Sequence, residues 1–279
     1  MPLSRSSFSR MRALAAIALL LVLAACGRSP TAHHSMIGTP GDNDPHPGVV
    51  RARSLPVHGL DVARYQGRID FNKVRAGGVR FVFIKSTEGK DYLDPNFHDN
   101  WRRAREAGVA RGAYHFMYWC SLAREQADWF IRNVPNDPDA LPPVLDVEFN
   151  NHSDCKNGHS REAMLEKIQV MLAAMEAHTG KVPIIYTDIN FHREVLEGVH
   201  FDNPFWLRST AAEPHHRYSN RQWTFWQWTQ TGTMSGINAE VDRNSFYGDD
   251  NAWTAFWLTG CDPRSINRLA PQGRCQSLK

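Results

Sequence analysis

The stretch Pro142-Pro143-Val144-Leu145-Asp146-Val147-Glu148-Phe149 decides how this chain folds. Two prolines lead into apolar, partly β-branched residues, the composition of a short buried strand. Side chains alternate across a strand, so Val144, Asp146 and Glu148 face one way and Leu145, Val147 and Phe149 the other. One apolar face and one face with two carboxylates describe a strand covered by helices outside and open to a polar cavity inside. The strand rise sets the two carboxyl-bearing carbons roughly 6–7 Å apart. Two like charges that close, partly shielded from water, cannot both ionise easily, so one pKa rises. A carboxyl that keeps its proton near neutral pH can serve as a general acid. A solvated edge strand would lack that chemistry, and the rest of the chain decides between the two.

Strand and helix signals alternate on either side of this stretch. Strands are expected at 58–63, 80–86, 110–118, 182–188, 205–209, 224–229 and 239–244, with the carboxylate strand fourth. Helices are expected at 71–76, 96–107, 122–133, 160–178, 190–196 and 249–258, with Ser160 as N-cap and Gly180 as terminator of the longest. Eight strands mostly joined by helices predict an α/β protein, an irregular (β/α) TIM-like barrel in a single domain. Its first half should be regular and parallel and its second half irregular; an open doubly wound sheet is the alternative. No glycine-rich phosphate loop follows any strand, so no nucleotide cofactor is expected.

Barrels carry their chemistry at the carboxyl ends of their strands. That rule gathers Asp61 from strand one, Asp146 and Glu148 from strand four, and Asp242 from strand eight. Strands one and eight become neighbours when a barrel closes, so Asp61 and Asp242 can meet. Tyr114, Tyr118, Tyr186, Trp206, Trp226 and Trp228 supply flat rings with polar tips, which suit sugar faces although such rings often simply fill a core. Tyr114, Tyr186, Trp206 and Trp228, with Gln227 between two tryptophans, are the expected substrate contacts.

The segments GLDVARYQG, FVFIKSTEG, GAYHF, PPVLDVE, IIYT, WQW and VDRN occur in this order between Gly59 and Phe246. As an ordered set they resemble glycoside hydrolase family 25, lysozymes that cleave the β-1,4 bond after N-acetylmuramic acid in peptidoglycan. The resemblance implies an irregular (β/α) barrel with Glu148 as acid/base, surrounded by Asp61, Asp146 and Asp242. Two departures stand out. Ala63 replaces a common serine, and Trp206-Leu207-Arg208-Ser209-Thr210 lacks the alanine and aromatic often found after that tryptophan. The second bears on glycan subsites more than on the chemistry. Asp146 is expected to orient the substrate's own 2-acetamido group for attack on the anomeric carbon, since the Asp-x-Glu spacing resembles other acetamido-assisted enzymes. Direct displacement by water activated at Asp61 or Asp242 is the competing route. A non-catalytic peptidoglycan-binding lipoprotein is the alternative function.

The chain's ends point to export. Arg5, Arg10 and Arg12 precede an apolar run, Ala13 to Ala25, that is too short to span a bilayer and reads as a signal peptide. It ends in Leu23-Ala24-Ala25-Cys26, which looks like a bacterial lipobox, so Cys26 is expected to carry lipid and anchor the protein to a membrane. Removing residues 1–25 takes away three arginines and no acids, which changes the formal charge from +3 to 0 and leaves no electrostatic case for nucleic acid. Residues 26–56 read as a flexible tether, 57–260 as the catalytic barrel of a monomer, and 261–279 as a C-terminal tail. Cys120 and Cys155 follow adjacent strands and should pair, leaving Cys261 and Cys275 to tie down the tail. A partner cysteine in an oxidising compartment speaks against His152, Cys155 and His159 as metal ligands, and no metal is expected.

Overall fold

Eight strands close a barrel in the computed structural model, which describes residues 46–150 and 159–275. They are β1 (His58–Val62), β2 (Val79–Glu88), β4 (Ala110–Phe116), β5 (Val144–Val147), β6 (Ile184–Thr187), β7 (Phe205–Arg208), β8 (Phe225–Gly232) and β9 (Val241–Phe246). A two-residue strand, β3 (Tyr92–Leu93), folds back antiparallel onto β2. The sheet runs β1-β9-β8-β7-β6-β5-β4-β2-β3, and pairing of β1 with β2 closes it. From β1 to β8 each barrel strand is parallel to the next, but β9 is antiparallel to both β8 and β1. The expected parallel barrel is thus a mixed one. The reason is connection length: the chain between Gly232 and Val241 is too short for a parallel crossover, which needs a dozen residues or more.

Alternation along β5 sorts its side chains as the sequence predicts. Val144 joins the interior cluster, whereas Leu145 and Val147 join the larger cluster between strands and surrounding helices. The amino end of the barrel interior is filled by rings. Phe81, Phe225 and Phe246 pack there against Trp253 and Phe256 of the helix Asp250–Thr259, with centroids 5.2 Å apart for Phe81–Trp253 and 5.3 Å for Phe225–Phe256. Glycines make room for them. A Cβ on Gly59 would lie 2.2 Å from the Phe81 ring, and one on Gly112 2.8 Å from Phe83. This plug confines solvent access to the carboxyl end.

Outside, the helix Arg161–Thr179 shows the caps its sequence predicts. Ser160 Oγ accepts from the amide of Ala163 at 3.2 Å, and Gly180 ends the helix at φ +68°. Ile168, Met171, Leu172 and Met175 form its buried stripe. The stretch expected as tether is structured from Pro47 onward, as Pro47–Val49 and Val50–Ser54 are helical turns. Val49 and Ala52 are fully buried there, and Ala52's carbonyl accepts from Ser245 Oγ. Two apolar anchors are too few to produce a readable period. Cys261 and Cys275 form the expected disulfide, Cα atoms 5.8 Å apart, and Arg274 pairs with Glu176 on the long helix through two 2.8 Å bonds. Cys120 is disulfide-bonded; Cys155, its expected partner, and Cys26 lie outside the described residues.

Candidate active site

At the carboxyl end the barrel opens on a cavity of about 220 Å³ that Asp61, Asp146, Glu148 and Asp242 all line. Asp146 is the last inward residue of β5, and Glu148 follows directly after the strand. The backbone there is held from outside: Trp119 Nε1 donates to the carbonyl of Glu148 at 2.9 Å while its ring stacks on Phe191 at 5.0 Å. Asp61 and Asp242 sit directly opposite each other in the antiparallel β1–β9 register, so their side chains share one face. The pair is clamped. Gln227 Nε2 donates to both Asp61 oxygens, at 3.1 and 2.9 Å, and lies 3.3 Å from Asp242 Oδ2; Asn244 Nδ2 donates to Asp61 at 2.7 Å.

All four carboxyls hold protons more tightly than in water. Burial is the main cause for Glu148, whose pKa is pushed up to about 7; the charge of Asp188 adds to it, while Arg208 and Lys85 oppose it. Burial also raises Asp146 well above the carboxylate range, aided by the charge of Glu148. Asp242 is pushed up to about 10 by burial and by the charge of Asp61, to which it is hydrogen-bonded. Asp61 rises through burial, but hydrogen bonds from Asn244, Gln227 and Asp242 pull the other way. The two aspartates therefore titrate as a coupled pair, with the hydrogen bond between them favouring the proton on Asp242. Asp146 Oδ1 is buried with no hydrogen-bond partner among the described residues.

The sequence-predicted contacts divide. Tyr114, Tyr186, Trp206 and Gln227 line the cavity. Two of them brace the amides that hold the carboxyls: Tyr186 Oη donates to Gln227 Oε1 at 2.9 Å, and Trp206 Nε1 to Asn244 Oδ1 at 2.7 Å. Trp206 and Tyr186 are 2% and 6% exposed, so they form the cavity floor rather than an open sugar platform. Trp228 is not in the site at all. Period-two alternation sends Phe225 and Gln227 inward and Trp226 and Trp228 outward, where Trp228 packs in the outer core with Arg243 over its ring.

Lys85, Arg208 and Asn244 are the residues that sequence reasoning passed over. Lys85 follows Phe81 and Phe83 on the inward face of β2, and Arg208 follows Trp206 on β7, so both were within reach of the same alternation rule. A larger cavity of about 400 Å³ lies at the amino ends of β7 and β8. Its arginines are partnered, Arg264 by Asp262, Arg268 by Asp202 and Arg221 by His192 and two backbone carbonyls. No set of three or more His, Cys, Asp or Glu side chains among the described residues is arranged to hold a metal ion.

Known proteins share this fold and sequence pattern. The sequence pattern of glycosyl hydrolases family 25 matches residues 60–237. Lysozyme M1 of Streptomyces globisporus is 36% identical over 200 residues, covering 69% of this chain and 68% of its own. The structure of a family 25 glycosyl hydrolase from Bacillus anthracis superposes with a TM-score of 0.70 at 36% identity, covering 76% of this chain and 96% of that one. A bacterial lysozyme from Streptomyces coelicolor superposes with a TM-score of 0.66 at 33% identity, covering 74% and 98%. Because that pattern runs through the strands that carry Asp61, Asp146 and Glu148 as well as through the barrel around them, the chain is a glycoside hydrolase and belongs to glycosyl hydrolases family 25.

Proposed function

We propose that this protein is an exported muramidase that hydrolyses the β-1,4 bond between N-acetylmuramic acid and N-acetylglucosamine in peptidoglycan. The lysozyme and muramidase relatives support the substrate class. The observation that carries the reading is Glu148, protonated up to about pH 7 beside a buried Asp146 in a solvent-open cavity. Glu148 donates that proton to the leaving oxygen as the C1–O bond breaks. Asp146 receives the substrate's acetamido N–H on its unpartnered oxygen and aligns the acetamido carbonyl for attack at C1. Glu148, now ionised, then takes a proton from the water that opens this cyclic intermediate, so two displacements return the starting configuration. The Asp61–Asp242 pair, fixed by Gln227 and Asn244, supplies a preorganised charge near the oxocarbenium-like centre.

Cys26 completes the reading as a lipidated anchor behind a signal peptide of residues 1–25. Mass spectrometry of membrane-extracted protein tests it, and an unmodified amino terminus would exclude it. The catalytic reading is tested on purified cell walls by reducing-end analysis of the released muropeptides. Muramic acid is expected at the new reducing ends; N-acetylglucosamine there would refute the assigned bond. Glu148→Gln should abolish release while glycan binding survives, because the proton is needed in the transition state more than in the ground state.

A further inference from the structure

Arg208, at the end of β7, reaches the cavity. Arg208 is held rather than loose. Its Nη2 donates to Asp188 Oδ2 at 3.2 Å and its Nη1 to Gln230 Oε1 at 3.0 Å. Asp188 is itself fixed, since its other oxygen accepts from the amide of Phe191 at 2.8 Å. The negative charge of Asp188 is therefore divided between the guanidinium and a helical turn. Among the described residues these two bonds occupy two of the five N–H groups that a guanidinium carries. The side chain is 32% exposed, at the border of the cavity where a ligand can meet it.

A cation already fixed by other bonds and partly exposed is a good receptor for a carboxylate, because little side-chain entropy is lost when the anion arrives. The carboxyls in the cavity do not forbid it. Burial raises the pKa of Asp146, Glu148 and Asp242, the last two to about 7 and about 10, so the cavity is less anionic than its formula suggests. Arg208 and Glu148 line the same cavity, so a carboxylate that reaches Arg208 there is one carried by the glycan on which Glu148 acts. Hydroxyl and acetamido groups are neutral, and the one ionisable group a muramic acid ring carries is its lactyl carboxylate. In peptide-bearing strands that carboxylate is consumed in an amide.

Resting on the muramidase reading, we propose that Arg208 is a specificity determinant that binds the free lactyl carboxylate of muramic acid. The enzyme then prefers glycan strands whose peptides have been removed, and an amide hydrolysis between lactyl group and peptide supplies its substrate. The test compares kcat/KM on three matched glycan strands: with free lactyl carboxylates, with methyl-esterified ones, and with peptides attached. Wild-type enzyme should favour the free acid over the ester by about tenfold or more, the scale of a charge-assisted hydrogen bond. In Arg208→Gln the ratio should fall close to one, and Arg208→Lys should recover part of it. A ratio is insensitive to the fraction of variant that folds. Equal wild-type rates on acid and ester, or an unchanged ratio in Arg208→Gln, would overturn the assignment. So would a preference for peptide-bearing strands that Arg208→Gln removes, which would move the recognised carboxylate onto the peptide. Failure of the wild type on all three strands would instead sink the muramidase reading beneath it.

Discussion

Replacing Glu148 by glutamine should strengthen the fold at alkaline pH while it removes the activity. The folded protein keeps the Glu148 proton up to about pH 7, whereas an unfolded chain releases it near the ordinary value of 4.5. Folded Glu148 thus binds more protons than unfolded Glu148 throughout that window, and stability falls as pH rises through it. The window spans roughly 2.5 pH units at about 1.4 kcal/mol each, so wild type loses about 3 kcal/mol between pH 4.5 and 7 through this group alone. A glutamine carries no such slope. It also withdraws the charge that helps to raise Asp146, which acts in the same direction. Urea denaturation at fixed pH between 4 and 8.5 measures the difference. The gap between variant and wild type should be flat near pH 4, widen above 4.5, and level off by pH 8 with about 3 kcal/mol added in the variant's favour. Parallel stability curves across the whole range would show that Glu148 is not held protonated, and the general-acid argument would go with it.

Four further outcomes follow from the structure. The pH–rate profile of kcat should decline above about pH 7, where Glu148 gives up its proton, and a rate that keeps rising to pH 9 would remove that group from the acid role. Gln227→Leu strips donors from Asp61 and Asp242 and an acceptor from Tyr186, which should cost about 1–3 kcal/mol per stranded group in denaturation and lower kcat more than it raises KM. Trp228→Phe should leave kcat/KM unchanged, as its buried Nε1 has no hydrogen-bond partner among the described residues and its ring faces away from the cavity. Cys261→Ser with Cys275→Ser opens a loop of 14 residues' separation and should cost about 3 kcal/mol in the chain-entropy account, read as a lower Tm with activity retained below it.

Local rules determined much of this protein. Period-two alternation in Val144 to Glu148 was enough to turn two carboxyls toward one cavity and Leu145 and Val147 toward the helices, because a strand has only two faces. Ser160 and Gly180 marked the long helix because unpaired backbone groups at helix ends need a hydroxyl acceptor or a left-handed residue. The same alternation would have brought Lys85 and Arg208 inward and sent Trp228 outward, had it been applied to β2, β7 and β8. Tertiary structure alone decided the rest. Antiparallel β9 follows from a connection too short to cross over, and that inversion sets Asp242 opposite Asp61. Gln227 and Asn244 clamp Asp61 from 166 and 183 residues away along the chain, a separation that no local pattern spans. The raised pKa of Glu148 arises from its burial together with the charges of Asp188 after β6 and Asp61 on β1, against the opposing cations Arg208 on β7 and Lys85 on β2. Electrostatic energy in a closed site sums over every strand that reaches it, whereas alternation and capping are properties of a few consecutive residues.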